Sequence, residues 1–142
     1  MTAATTTLRP ALSADIQQVL DLWEDARSTA AAVPDTPEAL EALIAHAPDS
    51  LLVAELDGKV VGTVVAAWDG WRGNIYRLAV RRECRRLGIG LQLVRAAEAQ
   101  LRDHGARRVT ALVATEELGA AAMWKAAGYE HDRAVERFVR NL

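Results

Sequence analysis

The sequence predicts a mixed α/β protein in which helices cover the faces of one mixed sheet. Three observations support this prediction. The spacing of apolar residues changes from helical to alternating near residue 50, and the dipeptide Asp57-Gly58 divides two apolar runs as a hairpin turn does. A glycine-containing turn at residues 81–90 then joins a third apolar run to a stretch with helical spacing. The predicted order of elements is β-α-α-β-β-β-α-β-α-β.

The composition is that of an ordinary globular domain. Of the 142 residues, 51% are hydrophobic and 25% are charged, so we expect one domain over residues 1–142. No apolar run reaches the roughly 18 residues of a membrane span, and no export signal is visible, so we expect a cytoplasmic protein. Cys84 is the only cysteine, which excludes an internal disulfide and a cysteine-based zinc site, and no spacing indicates another metal.

The first third of the chain predicts a strand and two helices. Residues 5–10 form a short strand that ends at a proline. Ser13 can cap the first helix with Asp15 in its first turn, and one face of this helix carries Ile16, Val19, Leu20 and Trp23. Thr36 followed by Pro37 is typical of a second helix start, and the buried side of that helix is Leu40, Leu43 and Ile44.

The rest of the chain predicts five strands and two helices. Residues 50–56 and 59–68 form the hairpin, and residues 75–80 (IYRLAV) form the fourth strand. A third helix is indicated by apolar residues at helical spacing that end before His104-Gly105, namely Leu87, Leu91, Val94 and Leu101. Residues 108–114 predict the fifth strand, residues 118–128 a short helix, and residues 133–139 a final edge strand.

The turn RRECRRLGIG, residues 81–90, is the most informative segment. Its glycines let the backbone approach a ligand, the following helix adds a partial positive charge, and arginines suit phosphate oxygens. A purely structural strand-to-helix turn is the alternative. A dinucleotide fingerprint does not fit, because Gly88-Ile89-Gly90 lacks the third glycine, and no Gly-Lys-Ser/Thr phosphate loop is present.

The pattern Arg85-x-x-Gly88-x-Gly90, preceded by LAV at the end of a strand, resembles the coenzyme A signature of the GNAT superfamily of N-acetyltransferases. The opening stretch LRPALSADIQQVLDLW and the closing stretch AAMWKAAGY are also similar to that family. The resemblance implies a GNAT-like acyl-CoA N-acyltransferase fold, α/β (α+β) in class. Its mixed, mostly antiparallel central sheet splays between the fourth and fifth strands and is flanked by about four helices.

The resemblance also implies how acetyl-CoA binds as a cosubstrate. The main chain of Leu78, Ala79 and Val80 would pair with the amide-bearing arm of the cofactor. The backbone amides of the turn would hold its pyrophosphate, and the residues concerned are Arg85, Arg86, Leu87, Gly88, Ile89 and Gly90. The thioester would lie in the gap between the two splayed strands, and no metal is required.

The same resemblance indicates two catalytic positions. Glu117 stands where the family usually has Asn, and Trp124 stands where it usually has the Tyr that is proposed to protonate or hydrogen-bond the departing thiolate. Glu117 could act as the base and Trp124 could hold the sulfur, although an indole N–H is a donor only. The alternative for Glu117 is an exposed helix start, and the alternative for Trp124 is a buried packing residue.

Other residues have weaker claims to a catalytic role. Fallback bases are Asp69, Glu55 and Glu116. Tyr76 and Tyr129 are expected mainly to pack, and a nucleophilic Cys84 is disfavoured because the family uses direct attack.

The predicted activity is transfer of the acetyl group of acetyl-CoA to a primary amine of a small molecule, peptide or protein. Residues 1–71 hold 11 acidic and 3 basic side chains, which is compatible with a cationic acceptor or with simple solubility. Two other classes remain open, a non-catalytic acyl-CoA sensor or partner module and a nucleic-acid binder using the arginine-rich half. We expect no nucleic-acid or membrane partner, and a homodimer is compatible with the sequence.

Overall fold

The computed structural model describes residues 5–26, 33–114 and 119–142. These residues form nine main elements. They are β1 (Thr7–Pro10), α1 (Ile16–Ala26), α2 (Pro37–His46), β2 (Leu51–Leu56), β3 (Lys59–Trp68), β4 (Gly73–Val80), α3 (Ile89–His104), β5 (Val109–Ala111) and α4 (Ala120–Ala126). Single 3₁₀ turns at Ser13–Asp15 and Arg82–Cys84 precede α1 and follow β4.

The strands form one sheet in the order β1-β2-β3-β4-β5. The first four strands pair antiparallel, and β5 runs parallel to β4. The hairpin between β2 and β3 turns at Asp57 and Gly58, which have φ angles of 52° and 77°. These two positive values are those of the turn that the sequence predicts there. The mixed, mostly antiparallel sheet of the prediction is confirmed.

Helices cover both faces of the sheet and form two apolar cores. On one face α3 and α4 pack against alternate strand residues, and the cluster includes Leu93, Leu101 and Trp124. On the other face α1 and α2 pack against the opposite residues of the same strands, and the cluster includes Leu22 and Leu40. A strand whose residues alternate between two buried faces reads as a continuous apolar run, as β3 does.

The two N-terminal helices begin differently. Thr36 caps α2 as predicted, since its hydroxyl accepts the Ala39 N–H at 3.1 Å. The predicted Ser13 cap is wrong, because the Ser13 hydroxyl instead donates to Glu41. The Asp15 carboxylate accepts the Leu12 N–H at 2.7 Å, and Arg9 donates to it at 2.7 and 3.0 Å. The Arg9 hydrogen bond, more than any other contact, holds the pKa of Asp15 below its usual range.

The register of α3 differs from the predicted one. Its buried face consists of Ile89, Leu93, Val94, Ala97 and Leu101. Leu87 and Leu91 are exposed by 62% and 43%. The helix begins after Gly88, so Leu87 lies outside it, and Leu91 lies two positions from Ile89, nearly opposite the buried face.

The predicted final edge strand at 133–139 is wrong. Residues 130–142 pair with no described strand, and Phe138 is 90% exposed. The apolar residues Val135, Phe138 and Val139 do not keep a strict alternation, so no single strand face would be apolar. β5 is also shorter than predicted, with three residues paired.

Candidate active site

The gap between β4 and β5 is the first feature of the candidate site. β5 pairs only with residues 73–75 of β4, and the contact ends where the Leu112 N–H donates to the Ile75 carbonyl at 3.2 Å. Residues 76–80 of β4 continue beside β3 alone among the described strands. The sheet therefore splays between β4 and β5, and the second half of β4 has one open edge.

The main chain of β4 shows which groups face that open edge. The Arg81 N–H donates to the Val61 carbonyl at 2.8 Å, and Ala79 lies opposite Thr63. Residues 79 and 81 therefore direct their main-chain groups to β3, and the alternation of a strand directs those of Leu78 and Val80 to the gap. Leu78 and Val80 are two of the three residues that the sequence predicts to pair with the amide-bearing arm of a coenzyme.

A β-bulge sits just before this open edge. Thr63 of β3 lies opposite Ala79 and Val65 lies opposite Tyr76, so two residues of β4, Arg77 and Leu78, oppose one residue of β3. Arg77 has a φ of 54°, which is uncommon for a residue with a side chain. The bulge changes the direction of the main chain at the point where β5 leaves it.

The turn after β4 carries the second group of predicted binding residues. Gly88 has a φ of 81° and directly precedes α3, and Arg86 also has a positive φ of 65°. Among the described residues, no hydrogen bond uses the backbone N–H groups of residues 86–90. These five consecutive donors at a helix N-terminus match what an anionic group requires. The Arg85 amide differs from the prediction, since it donates to the Arg82 carbonyl at 3.3 Å.

The two glycines of the turn have different reasons to be glycine. Gly88 lies in the left-handed region, where a side chain costs free energy regardless of space. Gly90 has no such constraint, and a Cβ there would meet only Val80 Cγ2 at 3.8 Å, an ordinary contact. Packing within the protein therefore does not require glycine at position 90, whereas a ligand that approaches the backbone closely would.

Fewer arginine side chains of the turn lie beside the free amides than the sequence predicts. The Arg85 side chain lies back along β4, and its Nε donates to the Val80 carbonyl at 3.2 Å. Arg81 Nε donates to the Val60 carbonyl at 3.0 Å. Arg82 and Arg86 are exposed and remain beside the open amides as solvated positive charges.

The two predicted catalytic residues have different outcomes. Trp124 is 7% exposed and makes an edge contact with Tyr129, with ring centroids 4.8 Å apart. Its indole N–H donates to no described residue, although buried indoles usually have a partner. Glu117, like the fallback base Glu116, lies in the segment 115–118, outside the described residues.

Tyr129 is occupied by a contact within the protein. Its hydroxyl donates to Glu98 Oε2 at 2.6 Å, and Arg95 joins the same carboxylate at 2.8 Å. Arg95 also donates to the Ala127 carbonyl at 2.9 Å, which ties the end of α4 to α3. Burial, followed by the Glu98 hydrogen bond, raises the pKa of Tyr129 above its usual range. The phenol packs and stabilises, as the sequence predicts.

The described fallback bases are occupied too. The exposed Asp69 carboxylate accepts the N–H groups of Arg72 and Trp71, which lower its pKa and weaken it as a base. Glu55 pairs with Arg9 at 3.2 Å. Tyr76 packs beside the α1–α2 core as predicted.

Cys84 is buried beneath the turn at 8% exposure. Together with Lys59 and Arg81 it lines part of a cleft of about 490 Å³. None of residues 86–90 lines that cleft. We place the candidate site at the gap and the turn, because the unused main-chain donors are there.

A hydrogen-bonded group of polar atoms at the bulge is not predicted from the sequence. Trp23 donates from Nε1 to Thr63 Oγ1 at 2.8 Å, and Thr63 donates to the Arg77 carbonyl at 2.9 Å. The sequence carried one signal for it, a threonine within the valine-rich run KVVGTVVAAW. A hydroxyl in a strand that is buried on both faces needs partners, and this requirement could have drawn attention to Thr63.

Two other kinds of feature are absent from residues 5–26, 33–114 and 119–142. Within those ranges no helix is both long and apolar enough to cross a membrane. The same ranges contain no group of three histidine, cysteine, aspartate or glutamate residues arranged to hold a metal ion.

A protein-family model and a named relative match most of this chain. The model of the acetyltransferase (GNAT) family matches residues 16–129. The acetyltransferase plu1384 of Photorhabdus laumondii is 36% identical over 99 residues, which cover 70% of this chain and 68% of the relative.

Two solved structures share the fold. Ard1 from Thermoplasma volcanium has a TM-score of 0.74 at 26% identity, over 87% of this chain and 81% of that one. Diaminobutyrate acetyltransferase EctA from Paenibacillus lautus, solved with L-2,4-diaminobutyric acid and coenzyme A, has a TM-score of 0.75 at 20% identity, over 87% and 75% of the two chains.

Proposed function

The chain belongs to the GNAT acetyltransferase family, and from this premise we propose that it is an N-acetyltransferase. It would move the acetyl group of acetyl-CoA to a primary amine by direct attack. The observation that carries the proposal is the set of five open backbone amides, residues 86–90, beside the open edge of β4. One feature binds a diphosphate and the other binds an extended amide chain.

The proposed cosubstrate fits these two features in order. The pyrophosphate lies on the amides of residues 86–90, where neutral donors and the N-terminus of α3 stabilise its charge. The amide-bearing arm pairs with the main chain of Leu78 and Val80, as an added strand would. For this pairing Arg85 Nε leaves the Val80 carbonyl, and its guanidinium becomes available to the phosphates.

The proposed chemistry requires two proton movements. The amine loses a proton before its nitrogen attacks the thioester carbonyl, the nitrogen–carbon bond forms, and the carbon–sulfur bond breaks. The thiolate of CoA then takes a proton. A main-chain N–H in the gap stabilises the charge on the carbonyl oxygen during attack. Glu117 is the proposed base. Trp124 is the proposed hydrogen-bond donor to sulfur, while the proton itself comes from water or from the amine.

The proposed acceptor is a cationic amine. The acidic excess of residues 1–71 attracts positive charge, and the relatives include enzymes whose names state amine acceptors. One is the diaminobutyrate acetyltransferase, and another is the aminoglycoside N-acetyltransferase AAC(6')-Iy in complex with CoA, which is 16% identical with a TM-score of 0.75. A polyamine, an aminoglycoside, a lysine side chain and a peptide N-terminus are the classes to test.

A second candidate function is an acyl-CoA sensor or partner module without turnover. The observation that favours it is that both predicted catalytic positions, 117 and 124, differ from the residues that the family usually has there. Trp124 is buried at the position where the family usually has tyrosine, and its indole has no transferable proton near neutral pH. The hydroxyl of the neighbouring Tyr129 is held by Glu98.

Release of free CoA thiol in the presence of an amine panel separates the two functions. We expect release above the rate without amine for at least one cationic amine, together with an acetylated product of the matching mass. Tight acetyl-CoA binding without release for any amine class would favour the sensor. Failure to bind acetyl-CoA would contradict both proposals.

A further inference from the structure

The bulge of β4 is held by a side chain of the neighbouring strand. The Ile75 carbonyl faces β5, so in a regular strand the Arg77 carbonyl, two residues further on, would face the gap. At the bulge this carbonyl instead accepts the Thr63 hydroxyl at 2.9 Å. Thr63 is fully buried at 0% exposure, so its hydroxyl has no access to water.

Trp23 of α1 fixes the orientation of that hydroxyl. The Trp23 indole N–H donates to Thr63 Oγ1 at 2.8 Å, and Trp23 is 4% exposed. An indole can only donate, and a hydroxyl has a single proton, so Thr63 accepts from Trp23 and donates to Arg77. The direction of both hydrogen bonds is therefore determined by chemistry alone.

The side chain of Arg77 contacts the same Trp23 ring. Its guanidinium carbon lies 5.0 Å from the Trp23 ring, and its NH2 group pairs with Asp35 at 3.0 Å. Asp35 directly precedes Thr36, the cap of α2. The bulge thus contacts α1, β3 and the segment that leads into α2.

We propose that Thr63 is a positioning residue for catalysis, a role that rests on the proposed function. Its hydroxyl holds Arg77 in the positive-φ conformation and so fixes where the Leu78 N–H points. Leu78 is the second residue of the bulge, and its main-chain groups face the gap. Without the hydroxyl, β4 relaxes toward a regular strand, and the groups at Leu78 turn away from the thioester.

The test compares two substitutions at one position. Thr63→Val keeps the shape of the side chain and removes the hydroxyl, and Thr63→Ser keeps the hydroxyl. We expect Thr63→Val to lower kcat at least about 10-fold with a smaller change in KM for acetyl-CoA, and Thr63→Ser to stay within about 3-fold of the wild type, since only interactions made in the transition state act on kcat.

A matched control removes a similar hydrogen bond elsewhere. Ser50 is 4% exposed and its hydroxyl donates to the Ala47 carbonyl at 2.8 Å, away from β4. Ser50→Ala should reduce thermal stability and leave kcat unchanged. Wild-type kcat in folded Thr63→Val, or an equal loss of kcat in Thr63→Ser and Thr63→Val, would overturn the proposal.

A readout without turnover keeps this proposal separate from the proposed function. In ¹H–¹⁵N spectra of the free protein, Thr63→Val should shift the Arg77 and Leu78 amides, whereas Ser50→Ala should not. Unchanged Arg77 and Leu78 amides in Thr63→Val would contradict the positioning role, even if the wild-type protein releases no CoA with any amine.

Discussion

The two halves of β4 have the same secondary structure and opposite hydrogen-bonding states. Residues 73–75 pair with β3 on one edge and with β5 on the other. Among the described strands, residues 79 and 80 pair with β3 only, after a bulge at Arg77 and Leu78 that is held by Thr63. The first half is buried sheet interior, and the second half presents main-chain groups to a gap.

The comparison shows that one strand is paired on both edges along one half and has an open edge along the other. A sheet edge with unpaired groups invites another strand, and proteins usually cover or blunt such edges. Here the open edge is short, and it lies beside five amides at the start of α3 that donate to no described residue. An extended, phosphate-bearing ligand would satisfy both groups of donors at once. If such a ligand binds there, acetyl-CoA affinity should depend on the open half of β4 and not on the paired half.

The largest effect is expected at Gly88. Gly88→Val places a branched side chain at a φ of 81° and distorts the turn that presents the amides. Loss of two hydrogen bonds to a charged group should weaken acetyl-CoA binding about 100-fold in calorimetric titration. Gly58→Val is the matched control, because Gly58 has a φ of 77° and equally open surroundings in the hairpin turn. It should lose stability and keep its affinity. Equal affinity losses in the two variants would show a general effect of strain.

The paired half of β4 should respond in the opposite manner. A Cβ at Gly73 would lie 3.3 Å from Leu101 and Ala106, so Gly73→Val overpacks the core between β4 and α3. We expect a loss of about 2 kcal/mol in the free energy of unfolding, measured by urea denaturation. The folded fraction should bind acetyl-CoA normally. A folded Gly73→Val protein with poor affinity would show that the two halves do not act separately.

Gly90→Ala should separate binding from stability. The new Cβ meets only Val80 at 3.8 Å, and alanine favours a helix over glycine. Stability should therefore stay equal or rise by up to about 0.5 kcal/mol. Acetyl-CoA affinity should fall about 10-fold, or about 1.4 kcal/mol, because the methyl group occupies the ligand's approach to the backbone. Unchanged affinity would mean that the ligand does not contact this position.

The smallest effect is expected at Tyr129, beyond the gap. Tyr129→Phe removes the hydrogen bond to Glu98 and should cost about 1 kcal/mol of stability while turnover stays within about 3-fold. The wild-type phenol has a raised folded-state pKa, so its contribution to stability is complete below the unfolded pKa near 10 and is lost as the pH rises above that value. Chemical denaturation between pH 8 and 11 measures the loss of stability in Tyr129→Phe and the pH dependence of wild-type stability. A turnover loss of 100-fold would instead identify Tyr129 as the proton donor.

Local chemistry made much of this fold predictable. Thr36-Pro37, Asp57-Gly58 and Gly88 each need only their neighbours to define a cap, a turn or a helix start. The prediction that the turn binds phosphate rests on the same short-range information. The first two features have the conformations that the sequence predicts, and Gly88 begins α3 as a left-handed residue.

The features that escaped prediction depend on distant residues. Asp15 replaces Ser13 at the helix start because Arg9 and the Leu12 N–H converge on its carboxylate. The bulge at Arg77 requires Thr63 from another strand, and Thr63 in turn requires Trp23. No periodicity within β4 encodes these contacts. The Arg85 amide was predicted as a phosphate donor, but the preceding 3₁₀ turn consumes it.

The most direct test of the central claim is a ¹H–¹⁵N titration of the protein with CoA. Large shifts should appear at the amides of residues 86–90 and at Leu78 and Val80, while Asn74 and Ile75 in the paired half stay in place. Saturable CoA binding that leaves residues 86–90 and Leu78 unshifted would contradict the account.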